Sequence, residues 1–262
     1  MIFRYYFHAL LRDLTNFSFL RHCKYAGFLI SMHQSGTHWL KHMLAISIAR
    51  HYNLPLPQYN HANDIIGGPK DPIVYPQTPR LGASHTIVHP LAGSSLLRRL
   101  IRMPKYIILV RDMRSVLSSN YIKWKGLYDC GFSEYLHDFS GKKFHNQIWW
   151  CIRFMNIWGK IAVKFPEDTL VVKYEELCAD TLQELGRIND FLKMGLGRDL
   201  LLSGISASSK DKMQDKSEPG RPEGGGVVRA GNTWNDLFTA EDGEFLRMIC
   251  GRLLKYDFGY EY

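Results

Sequence analysis

The sequence predicts a single three-layer α/β domain: a central parallel β-sheet flanked by helices. Three observations lead there. Short apolar runs alternate with longer helical patterns, as at Lys105–Val110 and Thr169–Tyr174, which is how a parallel sheet built from strand–helix–strand units reads. Those runs are almost unbroken, which suits strands buried on both faces. At 262 residues the chain can bury a core of that size, and 45% hydrophobic with 22% charged residues is a globular composition.

Residues 1–24 read as a helix and linker packed on the domain, and residues 25–262 as the domain itself. The stretch from Met1 to Arg12 is aromatic and basic. It has neither the clean apolar centre nor the small-residue cleavage site of a signal peptide. An amphipathic helix resting peripherally on a membrane is the alternative to packing on the domain. Tyr25–Ser31 is the first strand. Ser35, Gly36 and Thr37 then make a tight turn, and Leu40, Met43, Leu44 and Ile48 carry the helical period of Thr37–Tyr52. Residues 53–80 are rich in Pro, Gly and Asn and read as a long loop, a length that tends to go with function.

Leu81–Ile87 is a short strand and Ser94–Arg102 a short basic helix. Lys105–Val110 is the clearest strand, with Arg111-Asp112 at its end and a helix from Arg114 to Ile122. Residues 123–145 form an irregular insertion, and Asn146–Phe165 an aromatic helix. Thr169–Tyr174 is another strand. Thr181–Lys193 is amphipathic, with Leu182, Leu185, Ile188 and Leu192 on one face. Residues 203–228, polar and ending in Gly224-Gly225-Gly226, read as mobile. Ala240–Tyr256 is the last helix.

A net charge of +8 and a pI near 9.2 point to an anionic partner: a nucleotide, nucleic acid, acidic glycan or membrane surface. The basic residues are scattered rather than gathered in a tract, which speaks against nucleic acid. Five cysteines without a C-x-x-C pair favour a reducing compartment and argue against a disulfide framework or a zinc site. No apolar run has the length of a membrane span. The expected location is cytoplasmic, with membrane association through the N-terminus left open.

Ligands of parallel α/β folds bind at the carboxyl ends of the strands. Three polar groups fall there: the Ser35–Thr37 loop, Arg111 and Tyr174. Backbone N–H groups at a helix N-terminus lack intrahelical partners and carry the positive end of the helix dipole, so a loop aiming them at one point holds an anion, usually phosphate. An ordinary turn with Ser or Thr as N-cap would look the same. The loop lacks the lysine and first glycine of G-x-x-x-x-G-K-[ST]. With no obvious magnesium carboxylate nearby, that speaks against a P-loop kinase or nucleoside triphosphatase.

From about residue 25 to the C-terminus the chain resembles the sulfotransferases that use 3′-phosphoadenosine 5′-phosphosulfate (PAPS). His33-Gln34-Ser35-Gly36-Thr37-His38-Trp39-Leu40 is similar to their P-K-S-G-T-T-W-L loop. Arg111, with Ser119 eight positions on, resembles their 3′-phosphate motif, and Tyr174-Glu175-Glu176-Leu177 their Y-E-D-L. Arg80-Leu81-Gly82-Ala83-Ser84-His85 is similar to R-L-x-K-T-H, and His145 with Trp149-Trp150 to another shared block. Ser208 to Met213 resembles S-F-x-x-M. Arg229 and Gly231, upstream of Trp234-Asn235-Asp236-Leu237-Phe238-Thr239, resemble the C-terminal motifs.

The resemblance implies a P-loop NTPase-like fold and in-line transfer of a sulfuryl group to a hydroxyl or amine of a carbohydrate, lipid or small molecule, without a metal. It places the 5′-phosphosulfate on Ser35, Gly36, Thr37 and His38, the 3′-phosphate on Arg111, Ser119 and Arg229, and the adenine against Trp39 and Tyr174, with Ser208, Met213 and Gly231 completing the donor site. His85 is the expected base, with His33, His38 and His89 as competitors. The acceptor pocket falls to residues 53–80, 123–145 and 203–228. The largest departure is Gln34, where the family carries a cation that bridges the donor phosphate and the transferring group. A protonated His33, a basic residue such as Lys41 reaching in, or a protein that binds the nucleotide with little activity would each account for it.

Overall fold

Strands β1 (Gly27–Ser31), β2 (Ile66–Gly67), β3 (Leu81–Ser84), β4 (Lys105–Val110) and β5 (Thr169–Lys173) form one parallel sheet in the order β2-β3-β1-β4-β5. The computed structural model describes residues 5–7, 9–60, 62–128, 130–137, 147–215 and 234–262. Among them the helices are α1 (Thr37–His51), α2 (Ser95–Leu100), α3 (Met113–Trp124), α4 (Phe132–His137), α5 (Gln147–Lys164), α6 (Tyr174–Ala179), α7 (Thr181–Leu192), α8 (Arg198–Ala207), α9 (Lys210–Asp215) and α10 (Ala240–Leu253).

Side chains alternate across a strand, so each strand feeds two cores. Phe28 and Ile30 of β1 join Tyr106, Ile108 and Val110 of β4 under Phe154 and Trp158 of α5. On the other face Leu29, Ile107, Leu109 and Val172 meet Leu40, Met43 and Leu44 of α1 and Leu185 and Ile188 of α7. All five residues of β1 are buried, as the unbroken apolar run requires of a central strand. The chain leaves β1 toward β3 on one side and reaches β4 on the other. The crevice beyond the carboxyl end of β1 is therefore the switch point where such sheets bind ligands.

Several elements differ from the sequence expectation. The N-terminal segment is a five-residue π turn, Ala9–Asp13, and a 3-10 run, Phe17–Lys24, rather than one regular helix. Long-range anchors shape it: Asp13 is buried and receives a bond from Arg153 Nε of α5 at 2.9 Å, and Phe19 is sunk in the core. The long loop before β3 contains the short strand β2. The strand at Leu81 stops at Ser84, because the Ser84 hydroxyl takes the Thr86 N–H at 2.9 Å and turns the backbone out of the ladder. Part of the irregular insertion after Ile122 is helical, as α4.

The stretch read as mobile begins with helices: residues 203–207 end α8, residues 210–215 form α9 after a two-residue link, and residues 216–233 lie outside the described residues. Gly204 is the reason α8 docks here. A Cβ at that position would sit 2.5 Å from the Met43 carbonyl oxygen of α1, so only glycine lets the two helices press together.

Candidate active site

Strand register assembles the site. Ile30 pairs with Ser84, which brings Ser31 and His85 level, and Val110 pairs with Lys173, which brings Arg111 and Tyr174 level. The loop after β1 meets both pairs.

That loop, Met32 to Gly36, reverses on two residues in the left-handed region, Gln34 at φ 54° and Gly36 at φ 83°. Gly36 is the N-cap of α1, and no side chain caps the helix. The Ser or Thr cap of an ordinary turn is therefore not what the chain uses. The Ser35 and Thr37 hydroxyls, expected to face a phosphate, turn inward: Ser35 Oγ donates to the Met32 carbonyl at 2.6 Å and Thr37 Oγ1 to Ser31 Oγ at 2.9 Å. They brace the loop at the N-terminal end of α1, where backbone N–H groups have no intrahelical partner. His38, one residue on, is exposed.

Arg111 ties the loop to the neighbouring strand ends. Its Nη1 donates to the Gln34 carbonyl at 2.6 Å and lies 3.4 Å from Ser119 Oγ. The guanidinium sits 4.4 Å over the Tyr174 ring. Asp112 does not neutralise it, since both Asp112 oxygens bond Arg114. Arg111 Nε is buried without a hydrogen-bond partner, an orphan donor beside an anion loop. Trp39 crosses Tyr174 edge-on at 6.5 Å and donates its indole N–H to the Ser208 carbonyl at 3.0 Å.

Ser208 was expected in the donor site, but its hydroxyl is committed to His42 Nδ1 at 2.7 Å within the core. It acts on the site through Trp39. Met213 is buried, its carbonyl taken by Asn60 Nδ2 at 3.0 Å. Arg229, Gly231 and His145 lie outside the described residues. Lys41 does not reach the loop. It bonds Asn63 and faces Asp71 and Asp64, while burial lowers its pKa to about 8.

On the β3 side a histidine pair faces the loop. His85 Nδ1 lies 2.9 Å from the Ser31 carbonyl. A carbonyl only accepts, so Nδ1 carries the proton and Nε2 is the basic nitrogen. His85 keeps an exposed edge, yet desolvation by the protein around it lowers its pKa; the Ser31 carbonyl opposes the shift, and Lys123 adds to it. His33 lies 4.7 Å from the His85 ring and 4.2 Å from Trp150. Burial, with His85 and Lys123 nearby, pushes its pKa to about 3, so it is neutral near pH 7. As folded, His33 is therefore an uncharged ring set between His85 and Trp150.

The sequence left two participants without a role. Ser31, the last residue of β1, links Thr37 to His85; only its pairing level with β3 marks it. Lys123 is the cation felt by both histidines. Its signal was helical spacing, four residues beyond Ser119 on the same face of α3.

An α/β protein with a tight loop after its first strand, an arginine at the adjacent strand end and a histidine opposite has its polar groups gathered at the switch point of a parallel sheet. The sulfotransferase-domain profile matches residues 26–257, and the chain belongs to the sulfotransferase family. It is 29% identical to mouse (Mus musculus) Sulfotransferase 2A6 over 182 residues, which cover 63% of this chain and 60% of that protein. Among solved structures it is similar to mouse sulfotransferase SULT7A1 complexed with PAP, with a TM-score of 0.59 and 16% identity over 90% of this chain and 86% of the other. It is also similar to retinol dehydratase in complex with androsterone and the inactive cofactor PAP, with a TM-score of 0.58 and 17% identity over 99% and 88%. A putative steroid sulphotransferase of Arabidopsis thaliana gives a TM-score of 0.59 and 18% identity over 96% and 85%. At these identities the structural likenesses carry the fold.

Proposed function

We propose that this protein transfers a sulfuryl group from PAPS to a hydroxyl-bearing acceptor. The carrying observation is the joint placement of an uncapped α1 N-terminus and Arg111, whose Nε is buried without a partner, at neighbouring strand ends. A donor with a 5′-phosphosulfate and a separate 3′-phosphate needs two anion sites that far apart in kind: a ring of backbone N–H groups and a fixed, charge-assisted fork. Backbone donors from Gly36 to His38 would hold the first, and Arg111 with Ser119 the second, with Arg229 as the further expected partner. Trp39 and Tyr174 supply the aromatic wall for the base. PAP bound in the similar folds supports this reading.

His85 Nε2 accepts the acceptor's proton as its oxygen attacks sulfur in line with the departing 5′-phosphate. Ser31 holds the imidazole in the tautomer that allows it. The preactivated donor supplies a good leaving group, so the residues need only position it and offset developing charge. Androsterone in one related complex and retinol in another support a hydroxyl acceptor.

Gln34, uncharged where the family carries a cation, favours a second reading, a protein that binds the nucleotide with little transfer. Titrating the protein with PAP and with ATP, then assaying transfer from labelled PAPS to a panel of alcohols, separates the two. No preference for PAP over ATP would overturn both readings. Tight PAP binding without transfer across the panel would leave the second.

A further inference from the structure

The N-terminal segment and the turn before α2 build one face that is apolar and cationic at once. Tyr6, Phe7, Leu10, Leu11, Leu14 and Phe17 are all exposed, Leu10 by 59%. Three contacts join them to the 89–93 turn. Phe17 stacks on His89 at 4.6 Å, the His89 N–H donates to the Asn16 carbonyl at 2.9 Å, and Leu10 and Leu14 share an apolar groove of about 410 Å³ with Pro90. The turn runs directly into α2, whose Leu96 and Leu100 are 68% and 75% exposed. Their i,i+4 spacing puts both on one side of the helix.

The exposed charge of these two segments is cationic, and the acid packed against α2, Asp168, is paired with Arg98 at 3.0 Å. Arg12, Arg99 and Arg102 are exposed, and Arg21 and Lys24 line a neighbouring groove with Leu20 and Lys70. Residues 1–24 and 89–102 contain a single acid, Asp13, which is buried and neutralised by Arg153. Exposed apolar side chains among exposed cations match the chemistry of a membrane interface, where apolar groups enter the acyl boundary and cations meet acidic headgroups. A second copy of the chain fits poorly, because a two-fold contact would set this cationic face against itself. No helix among the described residues is long and apolar enough to cross a membrane.

We propose that this face rests on an anionic lipid leaflet and holds the domain at the bilayer surface as a peripheral protein. The proposal is independent of sulfuryl transfer. It is tested by flotation of the full chain with vesicles of phosphatidylcholine mixed with phosphatidylserine, at low and high salt. The expected result is binding at low salt that is lost at high salt. The variants Leu96→Glu/Leu100→Glu and Arg99→Glu/Arg102→Glu should each lower it by on the order of tenfold with melting unchanged, since all four side chains are exposed. A wild-type protein that stays off these vesicles would overturn the proposal. So would variants that bind as well as wild type, or a salt-resistant dimer that Leu96→Glu/Leu100→Glu disperses.

Discussion

The Arg111 guanidinium donates to the Gln34 carbonyl at 2.6 Å while lying 4.4 Å over the Tyr174 ring. One side chain thus couples three strand ends: the loop after β1, the end of β4 and the start of α6. It needs a planar, always-charged fork to do so. Arg111→Ala should lower PAP affinity by roughly ten- to a hundredfold, as expected for a lost charge-assisted bond to a phosphate. Affinity for adenosine 5′-phosphate, which has no 3′-phosphate, should change far less. Calorimetric titration with both nucleotides checks this; equal losses for the two would assign Arg111 to the loop alone. Arg111→Lys should recover only part of the preference.

Gly36 is required twice. Its φ of 83° costs an L-residue roughly 1–2 kcal/mol, and an added Cβ would lie 2.6 Å from the Tyr174 ring. Gly36→Ala should weaken PAP binding and lower the urea midpoint. Adding Tyr174→Ala removes the clash but not the backbone cost. The double variant should therefore lose less stability than the sum of the singles, a coupling read from a double-mutant cycle.

His85→Ala should lower turnover by about a hundred- to ten-thousandfold, the range for a lost general base, with PAP affinity kept. Desolvation holds the His85 pKa below the ordinary 6.5. The acid limb of the pH–rate profile should then lie below that value, with activity rising through it and level above. Lys123 is one cause of the depression, so Lys123→Met should move the limb upward. A limb that stays in place would separate Lys123 from the reaction centre.

Gln34→Lys restores the cation that the family carries in this loop. If the site is otherwise intact, turnover should rise, by an amount of the order of the hundredfold that one transition-state donor contributes. An unchanged rate with intact PAP binding would show that Lys123 or the helix N-terminus already meets the need for charge.

His22 sets an acid limit on stability. It is fully buried, stacks on Phe28 at 3.9 Å and bonds the Tyr106 hydroxyl at 3.2 Å, with Nε2 left without a partner. Burial pulls its pKa down from 6.5 to about 4. Between those values the unfolded chain binds the proton and the folded chain does not, so stability falls as pH drops through this window, by about 3 kcal/mol in all. Urea unfolding at pH 7 and pH 5 should show this, and His22→Phe should flatten the difference whatever its own constant offset.

Much of the scaffold was legible because its signals are local. Unbroken apolar runs mark Lys105–Val110 and the other buried strands, and Leu40, Met43 and Leu44 mark the inner face of α1 by helical period. The anion loop showed itself through short-range chemistry at Ser35, Gly36 and Thr37. Elements shaped by distant partners were harder to read. The irregular N-terminal turns answer to Arg153 on α5, and α8 answers to the Met43 carbonyl through Gly204.

By itself, then, the sequence determined the layer architecture, the strand ends that carry polar groups and the order of the family motifs. These follow from propensity and periodicity within a few residues. Only the tertiary structure decided which way the side chains turn: Ser35 and Thr37 inward, Ser208 toward His42, and Ser31 against His85. Those outcomes depend on strand register and helix docking between residues as many as 166 positions apart, and on burial that exists only once the layers close. Desolvation is a property of the folded surroundings, so the neutral His33 and the basic Nε2 of His85 belong to the fold rather than to the residues.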